Sequence, residues 1–80
     1  MEKKLQKIIC KIVNIDENDV EFFEGLDLQN DLGYDSIKFI QLIVEIEQGF
    51  DVLIEDQYLE IEKIGIYGSL VRLIDSISKK

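Results

Sequence analysis

The run from Ile37 to Phe50 is apolar at the helical period on two sides at once. Phe39, Leu42, Ile43, Ile46 and Phe50 fall within about 100° of one another on a 3.6-residue helix, the width of a stripe that faces a core. Ile37, Ile40 and Val44 fall on roughly the opposite side. Such a helix needs partners for its broad stripe, and in a chain of 80 residues these must come from other short helices of the same domain. The second stripe leaves two readings open: a helix buried on both sides, or a surface patch that another protein covers.

The partners are legible on either side. Leu5, Ile8, Ile9, Ile12 and Val13 follow helical spacing with Lys3, Lys4, Lys7 and Lys11 off the stripe, which predicts a first amphipathic helix. Leu70, Leu73, Ile74 and Ile77 line a last one that runs out in Ser78-Lys79-Lys80, where positive charge suits the helix dipole. The central helix spans Ser36 to about Gln48, with Gly49 expected as the left-handed residue that closes it. The stretch Phe50-Asp51-Val52-Leu53-Ile54 is apolar but has no second strand to pair with, so it is read as leading to a short third helix over about residues 56–62. Tyr58, Leu59 and Ile61 are available there for burial, and Gly65 and Gly68 flank a turn around Ile66-Tyr67. The predicted fold is all-α, one domain over residues 1–80: a four-helix bundle of three longer helices and one short third helix, with a long loop between helices 1 and 2.

That loop, residues 15–35, is long for so small a domain. Its apolar residues, Val20, Phe22, Phe23, Leu26, Leu28 and Leu32, are too many to leave in water, so it is expected to be pinned over the helix ends with a short helical turn. It is also acidic: Asp16, Glu17, Asp19, Glu21, Glu24, Asp27, Asp31 and Asp35 occur with no basic residue among them. A calcium loop would need oxygen ligands at alternate positions, a glycine sixth and a glutamate twelfth. Counting from Asp16 puts Glu21 sixth, and counting from Asp27 puts Leu32 sixth and Lys38 twelfth, so the pattern is not met.

Composition narrows the function. Hydrophobic residues at 46% against 32% charged predict a folded domain, and a net charge of −8 disfavours nucleic acid and favours partners with basic patches. No apolar stretch is long enough for a membrane span, and Met1-Glu2-Lys3-Lys4-Leu5 lacks a signal-peptide core, so a cytoplasmic protein is expected. There is no histidine, and Cys10, read as a helix-flank residue, is the lone cysteine; no metal site and no disulfide are expected. Without histidine or a Gly-x-Ser-x-Gly elbow the usual ways of activating a nucleophile are missing, so the chain is not expected to be an enzyme.

One position stands out nonetheless. In Asp31-Leu32-Gly33-Tyr34-Asp35-Ser36-Ile37 the backbone turns at Gly33, Asp35 caps the central helix and Ser36 lies in its first turn. An ordinary Asp-Ser cap explains these residues. An attached phosphate would suit the same place, because free amide groups and the positive end of the dipole point at it.

Asn30-Asp31-Leu32-Gly33-Tyr34-Asp35-Ser36-Ile37 resembles the Asp-Ser-Leu attachment motif of acyl and peptidyl carrier proteins. The likeness continues through Ile40, Leu42, Glu45-Ile46-Glu47 and Phe50-Asp51-Val52, and into Ile64-Gly65-Ile66-Tyr67-Gly68-Ser69-Leu70. The resemblance implies that Ser36 is joined by a phosphopantetheinyl transferase, through a phosphodiester, to a 4'-phosphopantetheine arm from coenzyme A whose thiol holds an acyl or aminoacyl group as a thioester. It implies a non-catalytic carrier, expected to be monomeric. The carrier is loaded by an acyl-loading or adenylating enzyme and docks through Ile37, Ile40 and Val44 on downstream synthase, condensing or transferase enzymes. Ile37 stands where Leu is more usual, and Glu55 where Pro often follows. Lys38 and Gln41 stand at positions commonly acidic in fatty-acid carriers, which points to a peptide-type or polyketide pathway. The alternatives are an acyl carrier of fatty-acid synthesis and an acidic helical interaction module without a prosthetic group.

Overall fold

The structure, a computed structural model, describes residues 2–55 and 59–78. Helix α1 (Glu2–Val13) is followed by a 3-10 turn (Glu17–Asp19) and by the one-turn helix α2 (Leu28–Leu32), both inside the long connection. Helix α3 (Ser36–Phe50), the short α4 (Ile61–Ile64) and α5 (Tyr67–Ser78) complete the order. The all-α architecture is as expected, with α1, α3, α4 and α5 as the bundle helices. Among the described residues the β-type pairing is limited to an isolated antiparallel bridge between Asp27 and Ile66.

The core is built from the predicted stripes. Leu5 and Ile9 of α1, Phe39, Leu42, Ile43 and Ile46 of α3, and Leu70 and Ile74 of α5 are buried, joined by Leu26, Leu28, Tyr34, Ile54, Ile64 and Tyr67. Among the described residues no charged side chain is buried, so their charges lie outside the apolar interior. Cys10 belongs inside as well: it is 2% exposed, not a flank residue, and burial followed by the nearby Glu17 and Asp16 pushes its thiol up.

The long connection is held by backbone pairing. The Leu28 amide donates to the Gly65 carbonyl (2.8 Å), the Tyr67 amide to Leu26 (2.9 Å) and the Gly68 amide to Glu24 (2.9 Å). Gly68 therefore does not end a turn but lies in the first turn of α5, where a Cβ would stand 2.8 Å from the Glu24 carbonyl oxygen. The Glu24 carboxylate also accepts a hydrogen bond from Arg72. Phe22 stacks at a tilt on Tyr67 with ring centres 5.0 Å apart, and Leu26 and Leu28 are buried. Phe23, expected to be pinned down, is 53% exposed, because the chain hydrogen-bonded at Glu24 and Leu26 turns this side chain outward.

The helix ends differ from expectation in two places. Helix α3 continues through Gly49 to Phe50, and the left-handed residue is Asp51 (φ 54°), with the Val52 amide reaching the Glu47 carbonyl at 3.2 Å. Gly49 is needed inside the helix instead. A Cβ there would stand 3.3 Å from Ile8 Cδ1, and the Gly49 carbonyl accepts a hydrogen bond from Lys4, so this glycine lets α1 approach α3 closely. The short third helix begins at Ile61, with the Lys63 and Ile64 amides closing onto the Glu60 carbonyl (2.8 and 3.0 Å). Residues 56–58 of the expected helix lie outside the described residues, and Leu59 is left 38% exposed instead of buried because it precedes the helical turn.

Both helices flanking Gly33 start on aspartate caps. Asp27 accepts from the amides of Gln29 and Asn30 (both 3.0 Å), and Asp35 from the amide of Lys38 (2.9 Å). The Asn30 amide holds the Asp27 carboxyl below the usual range, and the Lys38 amide does the same for Asp35. A depressed folded-state pKa contributes stability above the unfolded value that is lost as pH falls through the folded one. The thermal midpoint is therefore expected to drop on acidification below about pH 4, and Asp27→Asn with Asp35→Asn should flatten that drop in a pH series of melts. Ile46→Ala, which empties a fully buried site, is expected to lower the unfolding free energy by about 2–5 kcal/mol in urea titrations. Gly68→Ala should also destabilise, since its Cβ meets backbone.

Candidate functional site

Gly33 takes the left-handed conformation (φ 77°) and its amide donates to the Leu28 carbonyl, ending α2 within two residues of the next cap. Tyr34 then plunges inward. Its ring packs on Phe39 with centres 5.0 Å apart, and its hydroxyl donates to the Ile9 carbonyl of α1 at 2.7 Å. Burial, with Cys10 nearby, pushes this phenol well up, so it remains a proton donor. Asp35 comes next, in extended conformation, and Ser36 opens α3.

Ser36 is exposed, and among the described residues none is hydrogen-bonded to its hydroxyl. Among the described residues no base is hydrogen-bonded to it to take its proton, which fits an acceptor of a group rather than a reagent. It sits where the free amides and positive dipole end of a 15-residue helix favour an anion. A phosphate ester there would be welcome electrostatically, and the open surface leaves room for a modifying enzyme, so the residues present fit such a group.

The second stripe of α3 is at the surface. Ile37, Ile40 and Val44 are 67%, 65% and 45% exposed, so the helix is not buried on both sides. Beside them an apolar groove of about 330 Å³ is lined by Ser36, Phe39, Ile40, Ile43, Val44, Leu59 and Ile64. The groove thus begins at the serine and runs between α3 and the segment around α4. Leu59 and Ile64 were not singled out from sequence as site residues, nor was Tyr34. Leu59 and Ile64 reach the groove only through the chain's return after α3, and Tyr34 reads in sequence as one more loop aromatic.

Among the described residues no helix is long and apolar enough to cross a membrane, and no cluster of three His, Cys, Asp or Glu side chains stands close enough to hold a metal ion.

Residues 3–65 match the family model described as phosphopantetheine attachment site. Over all 80 residues, covering 100% of this chain and 96% of the relative, the sequence is 34% identical to the acyl carrier protein of Buchnera aphidicola subsp. Schizaphis graminum (strain Sg). These findings set aside the reading as an interaction module without a prosthetic group. The chain belongs to the phosphopantetheine-attachment family of carrier proteins, which are not enzymes and which bear a covalent 4'-phosphopantetheine.

Proposed function

We propose that Ser36 is the attachment residue and that the protein tethers an acyl or aminoacyl cargo for presentation to a series of enzymes. The observation that carries this reading is one exposed serine hydroxyl at the opening of α3, without a hydrogen-bond partner among the described residues, at the mouth of the apolar groove. The arm, once attached, supplies a terminal thiol on which the cargo is held as a thioester. The chain's own residues position it. Gly33 and Asp35 set the backbone that presents Ser36, Tyr34 ties that backbone to the core, and the free amides of the first turn of α3 would hold the negative charge of the phosphodiester. Attachment raises the cargo's effective concentration at each docked enzyme without any catalytic group on the carrier.

Ile37, Ile40 and Val44 form the docking stripe for the phosphopantetheinyl transferase, the loading enzyme and the downstream synthase or condensing enzymes. Their exposure on the same helix as Ser36 supports this role. The absence of acids at Lys38 and Gln41 favours a peptide-type or polyketide pathway in the cytoplasm. Carriage of fatty-acid chains is the second reading, favoured by the wholly hydrocarbon lining that follows Ser36 into the groove.

Incubation with coenzyme A and a broad-range transferase is expected to add one phosphopantetheine by intact mass, and Ser36→Ala should abolish the gain. A gain that persists in that variant would move the attachment elsewhere. Ile40→Asp should leave helical circular dichroism unchanged while raising KM for the transferase by about ten-fold or more, since a charge would be desolvated on docking. Extensive loss of helix in this variant would place Ile40 in the core and defeat the docking role.

A further inference from the structure

The exposed stripe of α3 differs in charge from most of the molecule around it. Resting on the carrier reading above, we propose that Lys38 and Lys11 select the partner: they neutralise the carboxylates bordering Ile37, Ile40 and Val44, so that this face docks on an apolar enzyme surface that lacks a basic rim.

Each acid within α3, and the aspartate that caps its opening, has a partner inside the fold. Asp35 takes the Lys38 amide at 2.9 Å and faces its ammonium at 3.7 Å; Glu45 pairs with Lys11 of α1 at 3.1 Å; Glu47 accepts the Ile54 amide at 2.9 Å. Exposed pairs of this kind add little stability. Their importance lies in the field, because two opposite charges a few ångströms apart present almost no net potential at a Debye length of about 8 Å. Seven of the 17 acids lie in residues 14–34, off this helix and with no basic residue among them.

A second, shallow groove of about 460 Å³ extends the face from α3 onto α1. Ile40 and Val44 belong to both grooves, Ile12 adds apolar surface, and the Lys11–Glu45 pair forms part of its wall. A partner rimmed with arginine and lysine would bring its cations against Lys38 and Lys11 and find no free carboxylate between them. An apolar surface would cover Ile37, Ile40 and Val44 without stripping water from an unpaired charge. The charge pattern therefore complements an uncharged partner, although the whole chain is acidic.

Modification of the full chain tests this with two phosphopantetheinyl transferases as probes, one with an apolar carrier-binding groove and one whose groove is lined by Arg and Lys, both at saturating coenzyme A. Against the apolar enzyme, KM for the native chain is expected to change by less than about two-fold between roughly 50 and 500 mM NaCl. Lys11→Glu combined with Lys38→Glu is expected to lower KM against the basic enzyme by about ten-fold at low salt and to make it rise with salt. If circular dichroism shows that the double variant does not fold, Lys38→Gln serves in its place, with about a three-fold lowering expected. A native KM that climbs about ten-fold with salt against the apolar enzyme, or variants that gain nothing against the basic one, would overturn the proposal. Modification with such salt sensitivity leaves the carrier reading standing, whereas no mass gain with either transferase defeats that reading and this inference together.

Discussion

The side chain of Tyr34 joins three parts of the molecule that the chain order keeps apart. Its ring rests on Phe39 of α3, its hydroxyl is bonded to the Ile9 carbonyl of α1, and its backbone follows directly on the left-handed Gly33 that ends α2. Without a partner that hydroxyl would be a buried polar group, at a cost of about 1–3 kcal/mol. With one, it fixes the entry into α3, so Ser36 leaves the core from a rigid footing. If Ser36 is the tether point, as proposed, it has to be accessible and still firmly placed, and the firmness is supplied two residues before the exposed hydroxyl.

The same division between a dry interior and a charged exterior explains why the domain can present a serine without chemistry. Among the described residues nothing charged is buried, and the core is aliphatic side chains with a few aromatics from α1, α3 and α5. Low dielectric and trapped charge, the means by which proteins shift pKa values far enough for acid and base work, are kept away from the helix opening. Among the described residues the phenol of Tyr34, raised by burial, is bonded inward to the backbone, and that of Tyr67, raised to about 12 mainly by burial, donates to Glu2 at the other end of the chain. Reactivity is left to the attached arm, and the protein is left to place it.

Glycines show how local signals and packing compete. At Gly33 the local demand and the fold agree: a left-handed residue is needed and open space surrounds it. At Gly49 they part. A glycine near a helix end reads as a stop, but α1 presses so close that the helix keeps its glycine for clearance and ends two residues later on Asp51. Gly68 is the same case at the start of α5, where Glu24 of the distant loop is the neighbour. Spacing along a chain cannot disclose which segment will lie against a missing side chain.

Periodicity alone was enough to place the buried stripes of α1, α3 and α5, because helical geometry maps spacing directly onto faces. The Asp-Ser opening of α3 was equally local, since a cap concerns residues three positions apart. Whether Ile37, Ile40 and Val44 are covered depended on how many helices surround α3, which no spacing states. The groove at Ser36 likewise exists only because Leu59 and Ile64 come back beside α3, and Cys10 is buried because its helix rotates that flank inward. Contacts between residues far apart in sequence decide surface from core wherever a helix is apolar on more than one side.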